Sequence, residues 1–368
     1  MKLLVDRNMA GVEALQALGE VELFDGRALA AADLAGADAL LVRSVTRVDA
    51  DLLEGCSLGF VGSATSGIDH VDRAALEARG IAFAYAPGSN ADSVVDYVLS
   101  ALCRHPDALA RLLDGDELGI VGYGHIGRRL QQRLARLGIQ CRAYDPWLEG
   151  LEALAELDTV LACPVVCLHA ALTREHPWPS EHMLVFEQLA QMPQQALLIN
   201  AGRGELIATG ELLALAEQRP DISLVLDVWE GEPAVNPVLL AKCRFGSAHI
   251  AGYSTDGKLR ATAMLARALC RAMNIDIETT GAGLPPVAVT VPQELGGQPL
   301  LSWLVAQVYD LQEDDTLLRA AMPDGFDRLR KQYRLRREVG ALAVSNLETL
   351  DSEARALCQA LIDYEPLL

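Results

Sequence analysis

The sequence is poor in aromatic residues, which make up 5% of the chain, although 51% of its residues are hydrophobic. We therefore expect cores built mainly from alanine, leucine and valine. No apolar run approaches the length that spans a bilayer. The N-terminal stretch MKLLVDRNMAG contains an aspartate and an arginine and lacks the apolar core of a secretion signal. These absences predict a cytoplasmic protein with no membrane partner.

Positive charge is also scarce, because 31 lysines and arginines stand against 50 aspartates and glutamates, for a formal net charge of −19. Such a chain is repelled by phosphate backbones and anionic membranes, so neither nucleic acid nor membrane is expected as a partner. An anionic small substrate would need a local cluster of cations. The eight cysteines form no CxxC pair, which predicts buried thiols in a reducing compartment and neither disulfides nor a metal site.

What the chain does contain is an alternation of short apolar runs and helical stretches over 368 residues, a length that predicts two or three domains. Predicted strands form a first series at 2–6, 39–43, 58–62 and 81–86, and a second at 117–124, 140–145, 164–169, 196–202, 224–230 and 246–254. Long helices are predicted from residue 90 and over 258–274. The expected fold is α/β, with two Rossmann-like or flavodoxin-like doubly wound parallel-sheet domains.

The end of the chain differs in composition. Residues 281–299 are dense in glycine and proline, which predicts a linker. Residues 300–368 combine a helical segment, a basic run and an apolar β-like piece, so we expect a small α+β domain. It is too small to stand alone, and a second copy of the chain is one surface on which it could pack.

Three glycines in the stretch VGYGHIG, residues 121–127, have the spacing of a dinucleotide-binding loop between a strand and a helix. Gly122 permits the tight turn, Gly124 lets the backbone approach a pyrophosphate, and Gly127 lets the helix pack on the sheet. The N–H groups at the start of the helix then face the phosphates. We expect His125 and Ile126, inside the loop, to lie beside the pyrophosphate without a catalytic role.

A carboxylate follows the next predicted strand. Asp145 stands eighteen residues after Gly127, where it would hydrogen-bond the adenosine ribose and repel a 2′-phosphate. The sequence therefore predicts NAD, in preference to NADP, as the cofactor.

Three side chains in loops after later strands suit hydride transfer from a hydroxy acid, which needs a cation, a base and a group that tunes the base. Arg203 lies between two glycines in NAGRGE, Glu232 precedes a proline in DVWEGEP, and His249 follows a short apolar stretch in SAHIAGYS. A carboxylate bonded to an imidazole fixes its tautomer and supports proton transfer. Taken singly, each residue is also compatible with a structural role, since six other histidines compete with His249.

The order of these motifs resembles the D-isomer-specific 2-hydroxyacid dehydrogenase family over residues 1 to about 280. The resemblance implies that a nucleotide domain is inserted into a substrate domain, which explains why the glycine loop comes late. It also implies that Arg203, Glu232 and His249 are catalytic, with His249 as the acid/base. The boundaries expected are 1–92 plus 255–280 for the substrate-binding lid domain, 93–254 for the NAD-binding Rossmann domain and 281–368 for the C-terminal domain.

One branch of that family is matched more narrowly by the stretches at 40–48, 63–72, 86–98 and 249–262 and by the tail at 308–321 and 326–338. This match implies a phosphorylated hydroxy acid as substrate and a homodimer formed through the C-terminal domain. It places Ser44, Thr65 and Tyr253 at the substrate, and it lines the cofactor with Asp145, Ala170, Ala201, Asp227 and Gly252. The cations that could hold the phosphate, each equally an ordinary surface residue, are Arg43, Arg47, Lys258 and Arg260.

Two departures from the family pattern affect the predicted cofactor wall. HAAL at 169–172 replaces the usual His-Thr-Pro-Leu, so Ala170 offers only backbone or packing contact, and Gly202 replaces a commoner serine beside Arg203. Two alternatives stay open from the sequence. One is another D-2-hydroxy acid, such as 3-phosphoglycerate, as substrate. The other is a non-catalytic protein that senses a dinucleotide, because such a protein can keep all three polar residues.

Overall fold

The computed structural model describes residues 1–276 and 283–364. Its strands are β1 Lys2–Asp6, β2 Glu20–Phe24, β3 Ala39–Val42, β4 Phe60–Ser63, β5 Ala82–Tyr85, β6 Leu118–Val121, β7 Cys141–Tyr144, β8 Val165–Leu168, β9 Leu197–Asn200, β10 Ser223–Leu226, β11 Phe245–Gly246, β12 Val287–Val289 and β13 Leu342–Val344. Its α-helices are α1 Arg73–Glu77, α2 Ala91–Cys103, α3 Pro106–Leu113, α4 His125–Arg136, α5 Leu157–Leu161, α6 Phe186–Leu189, α7 Thr209–Gln218, α8 Pro237–Lys242, α9 Thr255–Ala272, α10 Gly297–Ala306, α11 Leu311–Ala321, α12 Phe326–Lys331 and α13 Ser352–Ile362. Short 3₁₀ segments cover Val12–Leu18, Ala31–Leu34, Gly204–Leu206, Val339–Ala341 and Leu347–Thr349.

The described residues form two compact units. The first comprises residues 1–90 with 254–276 and 283–285, and the second comprises 91–253 with 286–364. The C-terminal segment, residues 286–364, therefore packs in the same unit as the predicted nucleotide-binding region. Its designation as a separate dimerisation domain, and the predicted domain boundaries, stay predictions.

The first unit is built on a parallel sheet with the strand order β2-β1-β3-β4-β5. Strands β3 and β4 are buried along their whole length, as expected where helices cover both faces of a parallel sheet. The missed strand β2 lies at the edge and carries exposed glutamates, so its sequence lacks the continuous apolar run of the others. Leu265 and Leu269 of α9 pack in one apolar cluster with the sheet residue Leu41.

The second unit contains a six-stranded parallel sheet with the order β11-β10-β9-β8-β6-β7. Its strands β6, β8 and β9 are wholly buried and apolar, which explains why the sequence predicted them as continuous hydrophobic runs. Of the predicted strand at 246–254, only Gly246 pairs in the sheet, as the second residue of β11. Because all six strands run parallel, the loops that follow them meet along one edge.

Helix α2 lies at the centre of the second unit and is buried almost completely, including its polar residues. Asp92 and Asp96 can be buried there because α4 supplies two buried arginines. Arg129 Nε lies 2.7 Å from Asp92, and Arg133 bridges Asp92 and Asp96 with both distances 3.1 Å. Burial raises the pKa of Asp96, against the opposing charge of Arg133. Paired in this way, the charges connect α2 to α4, and removal of one partner would leave an uncompensated buried charge.

The C-terminal segment completes this unit. Its helix α10 contacts α2, and Leu300, Leu304 and Cys358 belong to the same apolar cluster as the sheet residues Ile120 and Ile199. The expectation that 281–299 is only a linker is corrected for its described part, because β12 pairs in parallel with β13. Strand pairing between segments this far apart in the chain leaves no local pattern in the sequence.

Two further features bear on function. Within residues 1–276 and 283–364 we find no helix long and apolar enough to cross a membrane, and no cluster of histidine, cysteine and carboxylate side chains able to hold a metal. All eight cysteines are free thiols, and six of them are buried. Burial raises the pKa of Cys141 to about 12 and that of Cys103 to about 11, which makes both thiols poor nucleophiles.

Candidate active site

The glycine loop sits at the carboxyl edge of the six-stranded sheet, between β6 and α4. Gly122 has φ +93°, and a Cβ there would lie 2.3 Å from the backbone nitrogen of Ala170. A Cβ on Gly127 would lie 2.3 Å from the carbonyl oxygen of Gly122. Only glycine fits at either position. Gly124, by contrast, has no atom within 4 Å of a Cβ and faces open space, which leaves room for a pyrophosphate.

Helix α4 begins at His125, directly after this opening, and no side chain caps it. The first N–H groups of the helix are therefore available to an anion, as a dinucleotide requires. His125 is exposed and Ile126 is half-buried, at the first two positions of the helix, and their place beside a pyrophosphate stays a prediction.

Asp145 follows β7 and is half-buried. It accepts hydrogen bonds from the backbone N–H of Tyr123 at 2.9 Å and of Trp147 at 3.1 Å. These bonds fix the carboxylate beside the glycine loop, and its remaining lone pairs can accept ribose hydroxyls. The residues present therefore fit a dinucleotide whose ribose carries no 2′-phosphate.

The remaining predicted cofactor residues are placed differently from one another. The Ala170 backbone lies against Gly122, and its contact with a cofactor stays a prediction. Ala201 is buried directly after β9, and Gly252 is half-buried in the turn that follows Ala251. Asp227 is 1% exposed, so its carboxylate lies inside the protein.

Asp227 anchors the loop that carries His249. Its carboxylate accepts bonds from Ser247 Oγ at 2.6 Å and from the N–H groups of Ile250 and Ala251 at 2.8 and 2.9 Å. Burial raises the pKa of Asp227, while the charge of His249 and these hydrogen bonds oppose the rise. A contact between Asp227 and the cofactor stays a prediction; what the structure shows is a buried support for the loop.

His249 and Glu232 form a hydrogen-bonded pair, with Nδ1 of the imidazole 2.5 Å from Oε1 of the carboxylate. Glu232 also accepts the N–H of Trp229 at 3.2 Å. Burial alone would raise the pKa of Glu232, but the hydrogen bond and charge of His249, with the Trp229 N–H and the charge of Arg330, outweigh burial and lower it. The carboxylate is therefore ionised at neutral pH. Because Nδ1 is engaged, Nε2 is the nitrogen left for proton exchange.

The backbone at His249 is unusual, since φ is +54°, a left-handed conformation that non-glycine residues rarely adopt. It is held by a 2.7 Å hydrogen bond from the His249 N–H to the carbonyl of Asp227. Conformations of this kind cost about 1–3 kcal/mol and persist where the surroundings over-determine them. Here the Asp227 anchor does so.

Arg203 lies in the loop after β9. Its guanidinium nitrogen Nη1 donates to the carbonyl of Gly202 at 2.9 Å, and the side-chain amide of Asn200 donates to the Arg203 carbonyl at 3.0 Å. A Cβ on Gly204 would lie 2.1 Å from the carbonyl carbon of Trp229, so this loop packs directly on the segment that leads to Glu232. The three predicted catalytic residues thus come from neighbouring loops at one edge of one sheet.

Tyr253 is half-buried and meets Tyr333 of the C-terminal segment edge to face, with ring centres 5.7 Å apart. The buried guanidinium of Arg336, from the same segment, donates to the carbonyls of Ala251 at 3.3 Å and Ser93 at 2.7 Å. The loop from His249 to Tyr253 is therefore supported from both sides. This support was not predicted, although the basic run at 326–338 in an otherwise acidic chain was a signal for it.

The predicted substrate residues of the first unit lie at the carboxyl edge of its own sheet. Ser44 follows β3 and is exposed. Thr65 follows β4, and its hydroxyl bonds to Ser63 Oγ and to the carbonyl of Gly67, both at 2.7 Å. Both hydroxyls lie at the positions where open α/β sheets bind ligands.

The four candidate phosphate-binding cations of this unit separate into two groups. Arg47 is highly exposed and pairs with Asp49, and Arg260 donates to the carbonyl of Ser89. Arg43 pairs with the buried Asp6 at 3.2 Å. Burial and the charge of Arg43 lower the pKa of Lys258.

His169, the first residue after β8, is buried without a hydrogen-bond partner for either ring nitrogen in the part of the chain that the structure describes. Burial lowers its pKa to about 3, so its imidazole is neutral. The backbone N–H of His169 donates to the carbonyl of Val121 at 2.7 Å, which holds the residue against the glycine loop.

Comparison with known proteins agrees with this geometry. Residues 94–251 match the model of the D-isomer specific 2-hydroxyacid dehydrogenase, NAD binding domain, and residues 285–361 match a domain of unknown function, DUF3410. The chain is 42% identical to the erythronate-4-phosphate dehydrogenase of Cellvibrio japonicus over 92% of its own length and 93% of that protein. It is 41% identical to the enzyme of the same name from Cronobacter sakazakii, over 98% and 97%.

Among solved structures, NAD⁺-bound 3-phosphoglycerate dehydrogenase of Entamoeba histolytica matches with a TM-score of 0.60 and 20% identity. The match covers 75% of this chain and 97% of that one. At this identity the likeness is one of fold, and it confirms the predicted α/β architecture of parallel sheets.

Proposed function

The chain belongs to the erythronate-4-phosphate dehydrogenase family, and from this premise we propose that it oxidises 4-phospho-D-erythronate at C2. It is an NAD-dependent oxidoreductase. The observation that carries the proposal is the 2.5 Å pair between His249 and Glu232, at the sheet edge that also bears the dinucleotide loop. The product would be 2-oxo-3-hydroxy-4-phosphobutanoate, and the reaction would serve pyridoxal 5′-phosphate (vitamin B6) biosynthesis.

NAD⁺ supplies the hydride acceptor when it is bound. The backbone around Gly122, Gly124 and Gly127, with His125 and Ile126, would hold its pyrophosphate, and Asp145 would hold the adenosine ribose. Ala170, Ala201, Asp227 and Gly252 are proposed to line the remaining wall, with Asp227 acting through the loop that it anchors.

His249 is proposed as the acid/base. Nε2 would accept the proton of the C2 hydroxyl, and NAD⁺, when bound, would supply the acceptor for the hydride of C2, so that C2 becomes a carbonyl carbon. Glu232 holds Nδ1 and stabilises the imidazolium that results. Because the pKa of Glu232 is lowered, this negative charge is present throughout the neutral range.

Arg203 is proposed to bind the substrate carboxylate through a two-pronged contact and to polarise the carbonyl that develops at C2. Its loop packs on the Trp229 backbone, which fixes the cation relative to the loop that bears Glu232. Ser44, Thr65 and Tyr253 are proposed to contact the rest of the substrate.

We also propose that the chain acts in the cytoplasm as a homodimer formed through the C-terminal segment. Leu335 supports the dimer, because 87% of it is exposed although it is flanked by residues that pack inward. We therefore place Leu335 in the proposed interface, as the side chain whose substitution tests it.

The test of the proposed reaction is a substrate panel. NADH formation is measured by its near-ultraviolet absorbance with 4-phospho-D-erythronate, 3-phosphoglycerate and D-lactate in parallel. We expect turnover confined to 4-phospho-D-erythronate, and with NAD⁺ in preference to NADP⁺. Turnover with another acid alone would keep the chemistry and reject the substrate, and no turnover with any of them would favour a binding protein.

A further inference from the structure

The C-terminal segment, which matches a domain of unknown function, is docked beside the catalytic loops. Asp315 of α11 accepts the N–H of Gly246 in the edge strand β11 at 2.8 Å. Arg319 donates to the carbonyls of Leu240 and Cys243 at 2.9 and 3.0 Å. The loop that bears His249 follows β11 directly, so these bonds fix the position of α11, and of the α12 helix after it, relative to the site.

Helix α12 shares an apolar cluster with the segment around Glu232. Phe326 and Leu329 pack in the apolar cluster that contains Trp229 and Val235, which flank Glu232 in the chain. The next residue, Arg330, has its guanidinium carbon 5.9 Å from the centre of the Tyr253 ring. Its charge is also among those that lower the pKa of Glu232. Arg330 is therefore near both the catalytic pair and a proposed substrate residue.

Arg330 differs from the arginines around it in having no polar partner. Arg319 pairs with Asp315, Arg334 pairs with Asp314, and Arg336 donates to backbone carbonyls. Across residues 1–276 and 283–364, Arg330 forms neither a hydrogen bond nor an ion pair, and its Nε is shielded from solvent. In a chain whose acidic residues exceed its basic ones by nineteen, an unpaired arginine beside the active site marks a place for an anion.

The chemistry of the site limits which anion could bind Arg330. Among the residues that the structure describes, Glu232 forms no ion pair with Arg330: its Oε1 lies 2.5 Å from His249 Nδ1, and its Oε2 accepts the N–H of Trp229 at 3.2 Å. The substrate carboxylate adjoins C2 and is assigned to Arg203. The proposed substrate has one other anionic group, the phosphate on the far side of C2, and a guanidinium matches phosphate through two parallel N–H bonds.

We propose that Arg330 binds the phosphate of the substrate, so that the C-terminal segment supplies a specificity-determining residue to the active site. This inference rests on the proposed function. It gives the segment of residues 286–364 a role in substrate recognition in addition to any role in assembly.

The experiment compares Arg330→Gln and Arg330→Lys with Arg328→Gln, a matched control that removes an exposed arginine from the same helix. The readouts are KM for 4-phospho-D-erythronate, the inhibition constant of unphosphorylated D-erythronate, and that of inorganic phosphate. For Arg330→Gln we expect KM to rise roughly 10- to 100-fold and phosphate inhibition to weaken similarly, with the D-erythronate constant changed less than about 3-fold. Arg330→Lys should lie between, and Arg328→Gln should match the wild type.

Equal losses for phosphorylated and unphosphorylated ligands would overturn the proposal, because they would show that Arg330 positions Tyr253 or the catalytic pair. Unchanged KM in Arg330→Gln would overturn it as well. NAD⁺ titration by fluorescence checks that each variant is folded, and Arg330→Lys serves if Arg330→Gln does not fold. If the wild-type enzyme does not turn over 4-phospho-D-erythronate, the proposed function and this inference are both rejected. If the wild type turns it over and the KM of Arg330→Gln is unchanged, this inference alone is rejected.

Discussion

At the scale of single residues, the site depends on where each polar atom is already committed. The Nδ1 atom of His249 is held by Glu232, and the backbone of His249 is held by Asp227. This leaves one ring nitrogen for the substrate. In the glycine loop, Gly122 and Gly127 are required by close backbone contacts, while Gly124 faces the space that a cofactor needs.

Glu232→Gln should reduce kcat roughly 10²- to 10⁴-fold, because the imidazolium formed in hydride transfer loses its counter-charge. Steady-state kinetics with saturating NAD⁺ and substrate measure this loss. A variant with unchanged kcat would show that the pair seen in the structure does not act in catalysis.

The same substitution has a consequence for stability. The folded-state pKa of Glu232 is lowered, so its ion pair stabilises the protein above the ordinary carboxyl pKa, and this contribution is lost as pH falls through the lowered value. Glu232→Gln should therefore flatten the acid side of the stability profile measured by urea unfolding. Identical profiles for the variant and the wild type would contradict the assignment.

Asp145→Asn should weaken the preference for NAD⁺ over NADP⁺ by roughly 10-fold or more, because the carboxylate that repels a 2′-phosphate is removed. The amide keeps one acceptor for the N–H of Tyr123 or Trp147, so the loop is preserved. The ratio of kcat/KM for the two cofactors is the measurement. If that ratio does not change, Asp145 is not the ribose ligand.

Much of the site at this scale was predictable, because a glycine loop, a strand-end carboxylate and polar loop motifs are local patterns. The buried role of Asp227 was not, since it depends on N–H groups twenty and more residues away. Arg330 was not predictable either, because its significance comes from an absent partner, and partners are set by the fold.

At the scale of elements, the six-stranded sheet ends in a two-residue strand, β11. Among the described residues, no further strand pairs with its outer edge, which helix α11 covers. The sequence indicated the buried strands correctly, since parallel strands are continuous apolar runs. It missed β2, which is exposed, and β12, which pairs with a strand far along the chain. Burial on both faces leaves a local signature; edge strands and distant pairings leave little.

Asp315→Ala should lower the free energy of unfolding by about 1–3 kcal/mol, because the Gly246 N–H and the Arg319 guanidinium both lose their buried partner. The matched control is Glu313→Ala on the same helix, whose side chain is largely exposed and pairs only at the surface. Urea unfolding compares the two. Equal stabilities would show that α11 does not anchor the edge strand.

At the scale of the whole molecule, the C-terminal segment shares an apolar cluster with the predicted nucleotide-binding region, including α2. Deleting it would expose that core, so a truncation cannot separate assembly from folding. A substitution at an exposed position can. Which surface meets a second copy was not evident from the sequence, because the basic run around Leu335 contains both inward- and outward-facing residues.

Leu335→Glu should convert the proposed dimer to monomers, because it replaces an apolar side chain that a partner would cover with a charged one. Light scattering coupled to size-exclusion chromatography gives the mass, and circular dichroism confirms the fold. A wild type that runs as a monomer would contradict the proposed dimer. A variant that stays dimeric would show that Leu335 does not lie in the interface.

The most direct test of the central claim, that His249 drives NAD-dependent oxidation of 4-phospho-D-erythronate, is a single-turnover measurement. Wild type and His249→Asn, each saturated with NAD⁺, are mixed with the substrate and NADH formation is followed. We predict a loss of roughly 10²- to 10⁴-fold in the rate of hydride transfer, with NAD⁺ affinity unchanged in a parallel fluorescence titration. Transfer at the wild-type rate in His249→Asn would contradict the mechanism.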